Sequence, residues 1–132
     1  MHKETVTYTG YDDKVRTGDF YFNLNKGEVI KLETSVKGGI AEELQNLINA
    51  EDTPALMEIF QRIIDMSYGV RDADGIHFYK RASDLEDFKA TEAYSELYTK
   101  LATDDVAAAA FIKGVLPSDL DSIKRKPMDA SN

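Results

Sequence analysis

One amphipathic helix constrains the fold of this chain more than any other feature. The segment EDTPALMEIFQRIIDMSYG places five apolar residues on a single helical face, namely Leu56, Ile59, Phe60, Ile63 and Ile64. Thr53 is the expected N-cap, and Pro54 suits the first helical turn, where its missing N–H breaks no hydrogen bond. Gly69 is the expected stop. The pattern predicts a helix whose apolar face packs against the rest of the domain.

The N-terminal third of the chain has the composition of β-strands. TVTYT and GDFYFNL are rich in β-branched and aromatic residues, and turn-forming residues separate them. This pattern predicts a β-hairpin over about residues 5–24, with Phe20 and Phe22 on one face and Tyr21 on the other. Two strands alone are marginally stable, so the hairpin must pack on other elements.

The remainder of the chain is predicted to be helical. Asn25 and Glu28 form a capping box for a short helix, and Ser83 and Glu86 are expected to form another. A further helix is predicted over about Ile40–Ala50 from its apolar spacing. The predicted fold is therefore mainly α (α+β), with five to six short helices over about 26–116 and an N-terminal hairpin. A further short strand near 76–80 is left open. We expect one domain over residues 1–117 and a mobile tail over 118–132.

One predicted helix, near the C-terminus, is a candidate binding surface. The segment TEAYSELYTKLAT places Tyr94, Leu97, Tyr98 and Leu101 on one broad apolar face. Tyrosine buries area while keeping a polar tip, which suits both a core and an interface. Two interpretations stay open: the face lines the core of this domain, or it is a protein-binding stripe for a partner helix.

The overall charge argues against a nucleic-acid partner. The chain has 24 acidic and 16 basic residues, a formal net charge of −8, whereas affinity for DNA comes largely from Lys and Arg. The single basic cluster, Lys124–Lys126, is expected to be part of a solvated tail. There is no Cys, which removes disulfides and Cys-ligated zinc. No apolar run approaches the length of a membrane span or of a signal peptide, so we expect a cytoplasmic protein with no membrane partner.

The stretch VRDADGIHFYKR is the one place that suggests metal or acid–base chemistry. Asp72 and Asp74 fit the first two ligand positions of a calcium loop, but Gly75 is two places early and the closing Glu is missing. His77 stands among aromatic residues, and His2 is expected at a floppy terminus. We therefore predict a turn followed by a short segment of alternating residues. We expect no catalytic residue, no metal and no cofactor.

Several longer blocks resemble a known family. FYFNL, SYG, TEAYSEL and FIKGVLP occur in a matching order between about Asp19 and Pro117, roughly three-quarters of the chain. Together these blocks resemble the tail assembly chaperones of long-tailed (siphovirus-type) bacteriophages. None of the blocks is a catalytic motif, so the resemblance supplies no active-site residues.

The resemblance implies a non-enzymatic assembly role in the host cytoplasm. Proteins of this family bind the long, helical tape measure protein, keep it soluble and help tail tube subunits polymerise around it. They are absent from the finished virion. Many late phage genes of this type also give a longer product by ribosomal frameshifting, which is thought to recruit the tail tube protein; this chain would be the short form. Coating a long filament would favour self-association. The alternatives are a structural virion component such as a head–tail connector subunit and, more weakly, an enzyme using His77.

Overall fold

The structure, a computed structural model, describes residues 1–117 apart from the side chain of Ile48. Within those residues there are four strands and six helices, in the chain order β1 His2–Thr9, β2 Val15–Phe22, α1 Lys26–Ser35, α2 Ile40–Asn49, α3 Thr53–Ser67, β3 Tyr68–Arg71, β4 Phe78–Tyr79, α4 Ala82–Lys89, α5 Glu92–Thr103 and α6 Asp105–Val115. The α+β class, the N-terminal hairpin and the six helices confirm the prediction. The predicted tail, including Lys124–Lys126, lies outside the described residues.

The four strands form one antiparallel sheet in the order β1-β2-β3-β4. Thr9 pairs with Val15 beside the hairpin turn, and His2 pairs with Phe22 at the other end. β3 joins β2 over only two residues, with Phe22 opposite Tyr68. Phe20 and Phe22 face the helices and Tyr21 faces away from them, as the alternation predicted.

The core lies where the hairpin meets the helices. The Phe22 ring makes an edge contact with Phe111 of α6 at 5.3 Å, and Tyr68 stacks on Phe88 of α4 at 4.3 Å. Every helix except α2 has at least one fully buried side chain among the described residues. The largest completely buried side chains are Phe22, Phe111, Leu24, Ile64, Leu97 and Val115. Such burial accounts for most of the stabilisation of a domain this size.

The helix starts agree with the sequence at α1 and differ at α3 and α4. The Asn25 side chain accepts from the backbone N–H of Glu28, and the Glu28 carboxylate accepts from the N–H of Asn25, both at 2.9 Å, which confirms this capping box. The cap of α3 is Asp52 rather than Thr53, since the Asp52 carboxylate accepts from the N–H of Ala55.

The capping box predicted at Ser83 is wrong. α4 begins at Ala82, so Ser83 lies inside the first turn, and the N-cap residue Arg81 makes no side-chain capping bond. The Arg81 guanidinium instead donates to the Asp84 carboxylate at 2.6 Å. Asp84 thus supplies the negative charge that the start of a helix favours.

Gly69 does not end α3 in the way the sequence suggested. The helix ends at Ser67, and the chain continues directly into β3 without a loop. A Cβ atom at Gly69 would lie 2.6 Å from the Phe78 ring of β4, closer than real Cβ contacts allow. Gly69 is therefore required for close packing between β3 and β4.

His2 is also not at a floppy end. It lies in β1, where its ring hydrogen-bonds to the Glu4 carboxylate and meets the Phe111 ring edge-on at 5.3 Å. Glu4, which is buried, also accepts a bond from Lys100 of α5. These contacts tie the first strand to α5 and α6.

Candidate functional site

An open groove lies between two pairs of helices, α2–α3 on one side and α5–α6 on the other. We call it the interhelix groove, and its volume is about 910 Å³. Its walls are mainly apolar, and the apolar side chains that line it include Leu44, Leu47, Leu56, Phe60, Ile112 and Leu116. This volume is at the upper end of the roughly 300–1,000 Å³ typical of binding pockets.

The α2–α3 wall exists because these two amphipathic helices are only partly covered. α3 buries Ile63 and Ile64 near its C-terminal end, whereas Leu56 and Phe60 near its start remain half-buried. Leu47 of α2 is half-buried as well. An apolar helix face left open to water indicates a surface that another apolar group can cover.

The α5–α6 wall contains small residues beside the larger Ile112 and Leu116. Ala102 and Ala109 are exposed and line the groove, and Ala108 beside them is buried. Phe111, one turn further along the buried face of α6, packs into the core. Small side chains allow the backbone of a second helix to approach closely, so this wall suits a helix better than a bulky wall would.

Charged residues border the groove unevenly. In the part of the chain that the structure describes, four charged side chains line it, of which Glu51, Asp52 and Asp105 are acids and Lys113 is the one base. Glu51 and Asp52 stand in the turn between α2 and α3, and Asp105 is the first residue of α6. All four are exposed.

The predicted binding stripe on α5 lies largely in the core. Leu97 is 1% exposed and Leu101 is 3% exposed, so neither presents a free surface. Tyr94 and Tyr98 are half-buried and stack at 6.4 Å. Leu101 alone of the four also lines the interhelix groove. The role of this stripe in binding a partner stays a prediction.

Tyr94 is held in place by a polar contact. Its hydroxyl donates to the Asp65 carboxylate of α3 at 3.1 Å, and its ring meets the Phe88 ring edge-on. Burial, together with the charge of Asp65, raises the pKa of the Tyr94 phenol. The α5 face therefore ties α3 to the rest of the core.

The Asp72–His77 turn brings together the residues that the sequence singled out. Oxygen and nitrogen atoms of Asp72, Asp74 and His77 lie within 4.8 Å of one another. Asp72 accepts bonds from the side chain and the backbone N–H of His77. Burial alone would raise the pKa of Asp72, but these hydrogen bonds outweigh it and lower the pKa to about 2. The contacts explain the cluster as a turn that connects β3 to β4, and Phe78–Tyr79 is the short strand left open above.

Comparison with known families identifies the family of this chain. A sequence profile of the family described as phage tail assembly chaperone matches residues 1–130. The chain belongs to this family. As a member of the phage tail assembly chaperones, it belongs to a class that acts through protein partners of the tail and has a non-enzymatic role. No match was found among curated proteins or among solved structures.

Family membership makes the interhelix groove a candidate for the surface that contacts a protein partner. A chaperone needs a surface that covers apolar groups of another protein, and the groove offers such a surface within residues 1–117. Sequence reasoning missed it, although the α6 segment DVAAAAFIKGVL gave a signal in its four alanines. Within the same residues, no helix has both the length and the apolar character needed to cross a bilayer.

Proposed function

We propose that this phage tail assembly chaperone binds the tape measure protein, keeps it soluble and promotes polymerisation of the tail tube around it. The observation that carries the proposal is the interhelix groove, an apolar surface open to water in a member of this family. The groove would cover part of an aggregation-prone helix until the tube encloses it.

The shape of the groove supports a helical partner. Two helix pairs form its walls, and exposed alanines at Ala102 and Ala109 leave room for the backbone of a partner helix. Amphipathic helices bind such grooves through apolar anchors spaced at i, i+3, i+4 and i+7. Binding of this kind needs no chemical turnover, in agreement with a role that is not enzymatic.

The wider cycle of assembly belongs to the same proposal. Several copies, or a self-associated form, would cover a long tape measure protein and gain avidity from weak individual contacts. A longer frameshifted product would recruit the tail tube protein. Both forms would act in the host cytoplasm and leave before the virion is complete.

Co-expression with the tape measure protein tests the central step. The tape measure protein is produced alone and together with this chain, and its soluble fraction is compared. We expect most of it to become soluble and to co-purify with the chaperone. Unchanged solubility with no complex would refute the proposal.

Purified phage particles test the alternative that this chain is a structural virion component. Mass spectrometry of purified phage should detect the tape measure protein but not this chain. Stoichiometric detection of the chain in virions would favour a connector role instead.

Sequencing the gene tests whether the longer frameshifted product exists. A slippery heptamer ahead of an overlapping −1 frame would support it.

A further inference from the structure

The acids that border the interhelix groove bear on the charge of the segment that the groove binds. Glu51 is exposed and has no ion-pair partner among residues 1–117. It also has a positive φ of 56°, a conformation that glycine or asparagine adopts with less strain. The turn therefore does not need a glutamate, and no cation of residues 1–117 pairs with the Glu51 carboxylate, so it can interact with a partner.

Asp52 and Asp105 have structural roles but still contribute charge. Asp52 caps α3, and Asp105 lies in the first turn of α6, where a negative charge is favourable. Both remain exposed beside the groove. Among residues 1–117, Lys113 is the only cation in the lining, so the described border of the groove is net negative.

From this border we infer that the interhelix groove receives an amphipathic helix whose apolar face is flanked by lysine or arginine. The inference rests on the proposed function, because it describes the segment of the partner that the groove binds. Apolar anchors of the helix would contact Leu47, Leu56 and Ile112, and its basic flanks would lie near Glu51 and Asp105. An acidic helix would meet like charges at the same border, so charge selects among helices with similar apolar faces.

Three designed peptides test the inference. Each has 18 residues and the same leucine and alanine face, and the positions beside that face are lysine, glutamine or glutamate. Fluorescence anisotropy with the full chain measures their affinities at low and at physiological salt. We expect the order lysine, glutamine, glutamate from tightest to weakest, with smaller differences at higher salt because exposed charges are screened. Equal affinities, the reverse order or no binding of any peptide would overturn the inference.

Charge-reversal variants of the protein test whether the preference for basic peptides arises at the groove. Glu51→Lys should weaken binding of the lysine peptide by between about twofold and thirtyfold, since one favourable exposed pair becomes a repulsive one. Glu96→Lys is the matched control, because Glu96 is an exposed acid on α5 that does not line the groove. An equal loss in both variants would show a general charge effect and overturn the assignment to the groove.

The two proposals can fail separately. If the chain solubilises its tape measure protein but shows no preference among the peptides, the charge inference fails and the chaperone role stands. If the peptides bind in the expected order but the tape measure protein stays insoluble and unbound, the chaperone role fails instead.

Discussion

The most informative stability measurement compares two leucines on apolar helix faces. Leu97 of α5 is 1% exposed and belongs to the core cluster, whereas Leu47 of α2 is half-buried at the interhelix groove. Truncating a fully buried leucine to alanine costs about 3–5 kcal/mol, because it removes apolar contact and leaves a cavity. A half-buried leucine loses only part of the ~1.5–3 kcal/mol of its transfer free energy, or about 1 kcal/mol. Leu97→Ala should therefore be several times more destabilising than Leu47→Ala.

Urea unfolding followed by circular dichroism measures the difference. With an m-value of about 1.5 kcal/mol/M, Leu97→Ala should lower the unfolding midpoint by about 2–3 M and Leu47→Ala by less than 1 M. Binding should show the opposite order, because Leu47→Ala removes an apolar contact from the groove while leaving the fold intact. Similar midpoints for the two variants would refute the assignment of the α5 face to the core. An unchanged affinity of Leu47→Ala for the tape measure protein would count against the groove as the binding surface.

Three further predictions concern the fold. Asn25→Ala should lower the free energy of unfolding by about 1 kcal/mol, since the variant loses the side-chain cap of α1. Chemical denaturation would measure the loss, and a change below about 0.3 kcal/mol would contradict the prediction. Gly114→Ala should destabilise the chain more than a typical helix substitution, because the added methyl would collide with the His2 ring; a higher melting temperature would contradict that packing. A hydrogen bond from Arg16 lowers the pKa of Asp12 to about 2. The ionised Asp12 therefore stabilises the fold at pH values above its unfolded pKa of about 3.9, and this stabilisation is lost as the pH falls through 2. NMR titration should find that pKa and a return toward 3.9 in Arg16→Ala, and an unchanged pKa in that variant would contradict the assigned cause.

Much of the secondary structure follows from local patterns. The hairpin faces, the α1 capping box and the apolar periodicity of α3 all depend on neighbouring residues, so the sequence alone predicts them. The predictions that were wrong also concern local features, namely a helix cap and a strand boundary. Asp52 and Thr53 are adjacent residues that can both cap a helix, and only the bond from Ala55 distinguishes them. β3 was missed because it follows α3 directly, and its Gly69 indicated the end of a helix rather than a strand.

The candidate site depends on tertiary packing, which periodicity does not reveal. The helices α2, α3 and α5 each have an apolar face in sequence, and each face could be covered or open. β1 packs along α5, so Leu97 and Leu101 become core. Within residues 1–117, α2 packs on α3 but leaves the start of α3 partly open, and Leu56 stays half-buried there. The open face is thus decided by which helix the hairpin covers.

The central claim is that the interhelix groove holds the tape measure protein, and a matched pair of substitutions tests it most directly. Ala109 and Ala110 are both exposed on α6, but only Ala109 lines the groove. Each is replaced by arginine, the variants are checked for unchanged circular dichroism and melting temperature, and the amount of tape measure protein that co-purifies is measured. Ala109→Arg should abolish most of the complex because its long side chain occupies the groove, while Ala110→Arg should retain it. Equal yields from the two variants would contradict the claim.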